Sequence, residues 1–453
     1  MATTDDKDAQ EQERWGSRLG FVLATAGSAV GLGNIWRFPS VTAESGGGAF
    51  VALFLLVIVL IGVPGLMAEL ALGRRAKRNA VDTFLAIRPG TRWAGVGGLA
   101  LVASFLVLSY YAVIAGWVLA YVFKALTGSL RGLDAAGLGE AYAALSRHPW
   151  HPVAWQAVFM ALTAAVVMGG VRSGIERWSR VLMPGLIVLL LLLAARVLFL
   201  DGALTGVVWY LRPHWDDIGG HTLLRAIGQV FFSFGLGMGV MITYGSYLDS
   251  GEDIHRGTVY VAASDAGVAL LAGAVVIPAL FAFGLPIQGG AGLLFITLPV
   301  VFSQMPLGAL LNVVFFLMLT IAALTSAISL LEALVAFARQ RLGLSRWTTT
   351  LGTAVLVFVA GIPSALAEGP YGIRVLGRDF LTVVDVVASD VLLPLAGLLT
   401  AVFVGWVWGV GPALVELRRG AGRFPERLWS VSVRLVIPAT VGTILAASLL
   451  GIR

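Results

Sequence analysis

The stretch WGSRLGFVLATAGSAVGLGNIWRFP, residues 15–39, is apolar along most of its length and rich in glycine at its centre. Three of its glycines lie in the segment GSAVGLGN (27–34), which ends on the polar residue Asn34. A run of about 20 apolar residues can cross the hydrocarbon layer of a membrane as a helix. Each glycine inside a helix costs roughly 1 kcal/mol relative to alanine, so a cluster of glycines favours local unwinding. The stretch therefore predicts a membrane-spanning helix that is broken near its middle.

A second apolar stretch, residues 223–248, is interrupted in the same way. Its segment SFGLGMG (233–239) has a glycine at every second position from Gly235 to Gly239. If the chain contains two repeats of five spans, the interrupted helices are the first and the sixth and occupy equivalent positions. Interrupted helices at matching positions of two halves indicate a central binding site in a secondary transporter. Close packing of helices through small residues is the alternative explanation of these glycines.

The composition of the whole chain indicates a membrane protein. Its 453 residues are 58% hydrophobic and only 12% charged, whereas a soluble domain has about 25% charged residues. The chain has no cysteine, which excludes disulfides and thiolate metal sites. The run 286–303 contains three glycines and Pro299, so we expect a re-entrant or surface loop there. Eleven other apolar runs are long enough to span a membrane: 18–42, 48–72, 93–126, 153–170, 180–200, 223–248, 257–284, 307–338, 347–363, 380–411 and 429–451.

Basic residues in the loops predict the orientation of the chain. Arginine and lysine are concentrated in the loops 73–92, 171–180, 339–346 and 418–427, while the intervening loops have one or two arginines each. Loops rich in these residues stay in the cytoplasm. The first residues lack the basic start and short apolar core of a cleaved signal peptide. We therefore expect a multi-pass protein of the plasma membrane with a cytoplasmic N-terminus and, after eleven spans, an extracytoplasmic C-terminus.

Four motifs together resemble the neurotransmitter:sodium symporter family. They are the stretch 15–39, GQVFFSFGLGMGVMITYGSY (228–247), SYY (109–111) and ALTSAISLLEA (323–333). The resemblance covers essentially all eleven spans. Bacterial members of the family import amino acids, and the chain is more similar to those bacterial members that have eleven spans. It implies an all-α polytopic membrane protein with a 5+5 inverted-repeat transporter fold. In that fold the first and sixth helices are unwound around a site midway across the membrane.

The resemblance also divides the chain into segments. Residues 18–200 would form the first inverted repeat, with spans 1 to 5, and residues 201–411 the second, with spans 6 to 10. Residues 1–17 would be a cytoplasmic N-terminal segment. Residues 412–453 would form a cytoplasmic loop and the eleventh span.

Two sodium sites are implied beside the unwound segments, where freed carbonyl oxygens suit a hard cation. Sodium site 2 would use the carbonyls of Gly27, Val30 and Ala322 and the hydroxyls of Thr325 and Ser326. Sodium site 1 would use the Ala29 carbonyl, the side chains of Asn34, Ser233 and Asp265, and the substrate carboxylate. A carboxylate inside a span is costly and usually functional. The alternative for Asp265 is a structural charge pair, and that for the two hydroxyls is bonding back to their own helix. Ser264 replaces Asp265 as the ligand if the match is shifted by one residue.

The substrate site follows from the same motifs. The substrate carboxylate would meet the N–H groups of Leu32 and Gly33 and the Tyr111 hydroxyl. Because Gly235 stands where a leucine-selective family member has a side chain, and Met238 is flexible, we expect room for large side chains. The implied substrate-binding residues are Ala29, Leu32, Gly33, Val107, Tyr111, Phe232, Ser233, Gly235, Met238, Ser326, Ser329 and Leu330.

Gates are implied on both sides of this site. Arg37 and Asp385 match the outer gate pair of the family, with Phe232 as a lid. The inner gate of the family pairs an arginine with an aspartate, but those positions are Gln12 and Gln340 here. Closure of the inner gate must therefore rest on Trp15, Arg14 or other contacts.

These features predict a sodium-coupled symporter that imports hydrophobic or aromatic L-amino acids by alternating access, and not an enzyme. Two sodium ions are implied, and chloride is not required if the Asp265 carboxylate supplies the negative charge. The expected partners are the amino acid, sodium and the lipid bilayer, without nucleic acid. A sodium symporter of another small neutral zwitterion is the alternative, and a channel is a rival. A metal-dependent membrane enzyme is supported only by the pair His148 and His151, since the chain lacks the usual motifs of hydrolases and phosphate-binding loops.

Overall fold

The computed structural model describes residues 13–285, 291–375 and 377–449, and within them helices predominate. The first span consists of two helices, Arg18–Ala29 and Gly33–Glu44, that are bent by 52° at a short break. Nine further helices in the described residues are each long and apolar enough to cross a membrane. Their bounds are Gly48–Ala76, Ala94–Leu126, His151–Met168, Val171–Leu198, Ile254–Ala282, Gly308–Leu342, Arg346–Ala365, Phe380–Leu417 and Glu426–Ala446.

The sixth span is present as two short helices, Gly220–Phe234 and Val240–Ser246. The residues between them include three glycines in the left-handed region, with φ of 62° at Gly235, 76° at Gly237 and 71° at Gly239. Only glycine adopts this region without steric cost, which explains the glycine at every second position. The prediction of broken first and sixth helices is confirmed.

The bounds of most spans lie close to those predicted from the apolar runs. The fifth span differs most, because its helix begins at Val171 rather than at 180. Its first six residues, Val171–Glu176, form a π-helical turn that includes Arg172 and the buried carboxylate of Glu176. A prediction from apolar runs leaves such charged residues out of the span, although the end of the helix accommodates them.

Shorter elements connect the spans. They are the helices Ala80–Ile87, Ala135–Ser146, Ala203–Leu211 and Leu293–Ser303, a single turn at Trp215–Asp217, and an antiparallel hairpin of Arg374–Val375 with Arg378–Asp379. The predicted loop 286–303 is only partly described, since 286–290 lie outside the described residues. The rest is mainly helical and buried rather than an exposed loop, because Phe295 stacks on Tyr142 with ring centroids 5.3 Å apart.

The second span holds the second half of the sixth span in place. A Cβ on Gly73 would lie 1.9 Å from the Ile242 carbonyl oxygen, and one on Gly245 would lie 2.4 Å from the Leu70 carbonyl oxygen. Such contacts are possible only for glycine and bring two backbones together, as in other membrane helix pairs. The buried Glu69 carboxylate also accepts a hydrogen bond of 2.8 Å from the Gly237 N–H. The break of the sixth span is therefore fixed from one side by the second span.

Candidate functional site

A cavity lies between the break of the first span and the break of the sixth span. Its volume is about 30 Å3, and among the described residues that line it there is no Asp, Glu, Lys or Arg. All twelve residues predicted to bind substrate line it. The complete lining is Ser28, Ala29, Gly31, Leu32, Gly33, Asn34, Val107, Tyr111, Phe232, Ser233, Gly235, Met238, Val240, Ser326, Ser329 and Leu330.

One end of the cavity presents polar groups of the broken first span. The Leu32 N–H donates to the Tyr111 hydroxyl at 3.4 Å, at the start of helix Gly33–Glu44. A Cβ on Gly31 would lie 2.7 Å from Ser326 Oγ and 3.3 Å from the Tyr111 hydroxyl, so glycine keeps this space open. The first N–H groups of a helix and its dipole attract negative charge. This end of the cavity therefore suits a carboxylate.

The other end of the cavity is mainly apolar. Val107, Met238 and Leu330 contribute aliphatic and thioether surface. Two serines also belong to this wall, and the Ser28 hydroxyl donates to the Ser329 hydroxyl at 2.7 Å. The Ser329 hydroxyl in turn donates to the Ser326 carbonyl at 2.7 Å. Because both hydroxyl protons are used, the wall offers little to a charged side chain.

The side chains predicted for sodium site 1, those of Asn34, Ser233 and Asp265, form one buried cluster. Asp265 Oδ1 accepts hydrogen bonds from Asn34 Nδ2 at 2.7 Å and from Ser233 Oγ at 2.5 Å. The Asp265 side chain is fully buried, and its Oδ2 has no hydrogen-bond partner. No arginine or lysine of the described residues lies within ion-pair distance of it. A buried carboxylate without a counter-charge is strongly unfavourable, and a cation beside Oδ2 would relieve this cost.

The structure also distinguishes between Asp265 and Ser264 as candidate ligands. The Ser264 hydroxyl donates to the Tyr260 carbonyl of its own helix at 2.8 Å. It is therefore directed away from the cluster of Asn34 and Ser233. Asp265 is the member of this pair that the fold brings to the candidate site.

The residues predicted for sodium site 2 also converge, where the eighth span meets the first break. Ser326 Oγ lies 3.5 Å from the carbonyl oxygens of Gly27 and Val30 and 3.2 Å from that of Ser28. One hydroxyl proton cannot satisfy three carbonyls at once. A cation at this position would interact with all of these oxygens.

Thr325 completes this oxygen cluster. Its hydroxyl is 3.1 Å from the carbonyls of Ile321 and Ala322, so the bond back to its own helix that we considered as an alternative is present. A hydroxyl that donates in this way still has a lone pair for a cation. The alternative therefore does not conflict with the site.

The predicted outer gate residues Arg37 and Asp385 have different partners in the structure. The Arg37 guanidinium lies 5.6 Å from the centre of the Phe232 ring. Asp385 Oδ1 accepts a 2.8 Å hydrogen bond from Ser389, whose hydroxyl is 3.2 Å from that of Tyr110. Among the described residues, no ion pair within 4 Å joins Arg37 to Asp385.

Trp15 is a buried residue of the segment before the first span. Its side chain is 7% exposed, and its indole N–H donates to the Tyr244 carbonyl at 3.1 Å. Its backbone N–H donates to the Tyr247 carbonyl at 3.3 Å. Trp15 therefore ties the segment before the first span to the second half of the sixth span.

An ionic network that the sequence did not predict lies beside Trp15. Glu13 pairs with Arg346 at 3.1 Å and with Arg339 at 3.2 Å. Arg346 also pairs with the fully buried Glu332 at 2.5 Å, and Glu332 accepts a 2.6 Å hydrogen bond from Tyr247. The network joins the N-terminal segment to the sixth, eighth and ninth spans.

Gln12, Gln340 and Arg14 are the other residues considered for the inner gate. Gln12 lies outside the described residues. Gln340 Oε1 accepts hydrogen bonds from the Asn79 backbone at 2.9 Å and side chain at 2.7 Å, and so supports the start of helix Ala80–Ile87. Arg14 lies 3.9 Å from Asp249, and both side chains are mostly exposed.

We predict that Glu13→Gln opens the inner side of the cavity more often. The loss of a partly exposed ion pair changes the equilibrium by about fivefold at most. Because the chain has no cysteine, a cysteine placed at the buried Ser246 can report this opening through its rate of reaction with a water-soluble maleimide. Glu44→Gln, which removes an exposed pair with Arg225, is the matched control. Equal labelling rates for Glu13→Gln and the control would contradict a gating role.

The histidine pair lies at the start of the fourth span. The rings of His148 and His151 stack in parallel with centroids 3.5 Å apart. His148 Nδ1 accepts the backbone N–H groups of Trp150 and His151 and so caps the fourth span. In the described residues no group of three or more His, Asp or Glu side chains could hold a metal ion.

A membrane protein with two broken helices facing one buried cavity has the architecture of a secondary transporter. The model of the "Sodium:neurotransmitter symporter family" matches residues 12–134 and 148–453, and the chain belongs to this family. The prediction made from the four motifs is confirmed.

Proteins similar over their whole length support this assignment. The chain is 41% identical over 451 residues to the sodium-dependent transporter YhdH of Bacillus subtilis (strain 168), covering 98% of this chain and 99% of YhdH. It is 31% identical over 459 residues to a sodium-dependent transporter of Haemophilus influenzae, covering 99% and 100%. The crystal structure of MhsT in complex with L-phenylalanine superposes with a TM-score of 0.89 at 42% identity, covering 96% of this chain and 99% of MhsT. The chain is a sodium-dependent symporter with the inverted-repeat transporter fold, and not an enzyme.

Proposed function

We propose that this symporter imports hydrophobic L-amino acids, aromatic ones included, together with two sodium ions and without chloride. The observation that carries the proposal is the division of the central cavity into a polar end and an apolar end. The polar end suits a carboxylate at the Leu32 N–H and the Tyr111 hydroxyl. The apolar end, with Val107, Met238 and Leu330, suits a large uncharged side chain.

The absence of charge in the cavity lining supports this substrate class. A Lys, Arg, Asp or Glu substrate would bury its side-chain charge without a partner among the sixteen lining residues. Burying an unpaired charge costs several kcal/mol, about the whole binding energy of a millimolar ligand. MhsT, whose crystal structure contains L-phenylalanine, supports the proposal by similarity.

The two oxygen clusters support the proposed stoichiometry. The cluster at Asp265 adjoins the polar end of the cavity through Asn34 and Ser233, so a sodium ion there would also meet the substrate carboxylate. The cluster at Ser326 faces the carbonyls of the first break on the side of Gly27. We propose one sodium ion in each, with binding of the first coupled directly to the substrate.

Alternating access would use the contacts on either side of the cavity. We propose that Trp15 and the Glu13 network close the inner side while Arg37, Asp385 and Phe232 control the outer side. This assignment rests on the orientation predicted from the basic loops, with the N-terminal segment in the cytoplasm.

Binding measurements with the twenty amino acids test the substrate class. Purified protein and radiolabelled phenylalanine are used in a scintillation-proximity assay, with each amino acid as competitor in sodium or in potassium. We expect Trp, Phe, Tyr, Leu and Met to compete best, and only in sodium. Strongest competition by Gly, Ala, Glu or Lys would contradict the proposal.

We predict that Gly235→Ser shifts the preference toward smaller side chains. A Cβ at this position points toward Met238, whose sulfur would lie 3.6 Å away, and so reduces the space at the apolar end. One methylene in such a pocket is worth about 1 kcal/mol, or about fivefold in relative affinity. The φ of 62° at Gly235 adds strain for any side chain, but strain affects all substrates equally.

The measurement for this variant is therefore the ratio of the affinities for a large and a small substrate. The affinity for tryptophan relative to that for valine is expected to fall about fivefold or more in Gly235→Ser. Met238→Leu, which keeps the wall apolar and similar in volume, serves as the control. An equal loss for all substrate sizes in Gly235→Ser would mean that position 235 does not limit the side-chain pocket.

A further inference from the structure

Side chains of two other spans form hydrogen bonds with the break of the sixth span. From the second span, the Glu69 carboxylate accepts the Gly237 N–H at 2.8 Å. From the third span, Ala94–Leu126, the Ser104 hydroxyl donates to the Met238 carbonyl at 2.6 Å. Consecutive residues of the break are therefore held by different spans.

Ser104 lies behind the wall of the central cavity. Its side chain is fully buried, and it is absent from the described residues that line the cavity, whereas Met238 is one of them. Val107, three residues further along the third span, also lines the cavity. Ser104 therefore acts on the substrate site through the Met238 backbone and not by direct contact.

Met238 stands where the backbone of the break can change conformation most easily. Its neighbours Gly237 and Gly239 have φ values of 76° and 71°. Glycine has access to many more backbone conformations than other residues, so a residue between two glycines is reoriented at low cost. The Met238 N–H donates to the Gly235 carbonyl at 3.3 Å, within the break itself. The bond from Ser104, in contrast, ties Met238 to a long helix.

The two glycines beside Met238 are themselves closely packed. A Cβ on Gly237 would lie 2.4 Å from the Leu393 carbonyl oxygen of the tenth span. A Cβ on Gly239 would lie 2.9 Å from the Ala80 Cβ. Backbones in such close contact have little room to move. An adjustment of this wall therefore falls mainly on Met238.

A large substrate side chain requires such an adjustment. The volume of the cavity is about 30 Å3, whereas a cavity that binds benzene in a protein interior has about 150 Å3. The wall at Met238 is buried and belongs to a close-packed interior. A phenyl or indole ring thus fits only when the apolar wall moves outward.

We propose that Ser104 is a positioning residue that sets the upper size of the substrate side chain through its bond to the Met238 carbonyl. A small side chain needs little movement of the wall and leaves the bond intact. A large side chain displaces Met238 and weakens the bond, so the cost falls only on large substrates. This role rests on the proposed import of hydrophobic amino acids and identifies a residue that selects among them.

Competition binding with Ser104→Ala tests this role. The substitution removes the hydrogen bond and leaves space behind the Met238 carbonyl. Tryptophan and valine compete with radiolabelled phenylalanine in sodium, and their inhibition constants are compared. The affinity for tryptophan relative to that for valine should rise about fivefold, which is the value of one buried hydrogen bond.

Ser109→Ala is the matched control. Ser109 is buried on the same helix, but its hydroxyl donates to the Leu106 carbonyl of that helix at 2.7 Å. This variant should keep the wild-type ratio. If Ser104→Ala is not monodisperse, Ser104→Cys is similar in volume and offers only a weak donor, and its ratio should also rise.

An unchanged or lower ratio in Ser104→Ala, or an equal rise in Ser109→Ala, would overturn the role of Ser104. The wild type in the same assay separates this result from a failure of the proposed function. If the wild type binds neither tryptophan nor valine, the proposed function fails and the role of Ser104 fails with it. If the wild type binds both and the variant has the same ratio, only the role of Ser104 fails.

Discussion

Replacing Thr325 by Val and Ser326 by Ala is expected to weaken sodium-dependent substrate binding by about tenfold or more. Hydrogen bonds and similar polar contacts to a charged group are worth about 1.5–3 kcal/mol each, and 1.4 kcal/mol is a factor of ten. The Ser326 oxygen is the point where the carbonyls of Gly27 and Val30 converge. Without it, a cation beside the first break loses the ligand that connects the first span to the eighth.

The measurement is the sodium concentration that gives half-maximal phenylalanine binding. Thr320→Val is the matched control, because Thr320 lies on the same helix, is buried and makes the same bond back to a carbonyl, Phe316, at 2.9 Å. The control should bind sodium as the wild type does. An unchanged sodium dependence in the Thr325/Ser326 variant, with the protein still monodisperse, would contradict the assignment of this site.

Asp265→Asn is expected to have the largest effect on transport. Two unit charges 4 Å apart interact by about 4 kcal/mol at an effective dielectric constant near 20. Removing the charge of a fully buried carboxylate that we propose as a sodium ligand should therefore lower sodium-driven uptake by about 100-fold or more in chloride-free gluconate. The wild type should transport equally well in gluconate and in chloride.

Chloride provides the second part of this test. If the Asp265 carboxylate supplies the negative charge beside sodium, an added chloride ion can replace it in part, and Asp265→Asn should be stimulated by chloride. Asp249→Asn changes the net charge equally at an exposed position and should have no effect. Loss of wild-type uptake in gluconate would show that Asp265 does not have this role.

The fold could be predicted largely from the glycines of two apolar runs. The spacing of Gly235, Gly237 and Gly239 predicted the break in the sixth span, because the left-handed backbone there excludes other residues. The ends of helices were less predictable where they contain buried polar residues. Glu176, for example, lies inside the first turn of the fifth span and accepts hydrogen bonds from Gly16 and Ser17.

The candidate site could be predicted only with the help of the family motifs. The residues that meet at the first break, such as Gly27 and Ser326, are separated by 299 positions in the chain. No periodicity connects residues so far apart. The motifs identified twelve of the sixteen lining residues as substrate-binding, and Asn34 as a sodium ligand. Ser28, Gly31 and Val240 were missed although each lies within a quoted motif.

The ion pairs of Glu13 were not predictable from the sequence. Glu13 belongs to a short polar segment, and nothing in its neighbourhood indicates that it reaches Arg346, 333 positions away. The hydrogen bonds of Arg88 and Arg434 to carbonyls of the tenth span were hidden for a similar reason. A π-helical segment such as Phe403–Gly409 leaves carbonyls that side chains can reach, and the 3.6-residue periodicity of the sequence does not reveal it.

Uptake into proteoliposomes tests the central claim, sodium-coupled import of hydrophobic amino acids, most directly. Radiolabelled phenylalanine is supplied outside vesicles that contain the purified protein, with an inward sodium gradient in gluconate. The account predicts transient accumulation above the external concentration, which disappears when sodium is replaced by potassium or made equal on both sides. Uptake that is independent of sodium, or that never exceeds the external concentration, would contradict it.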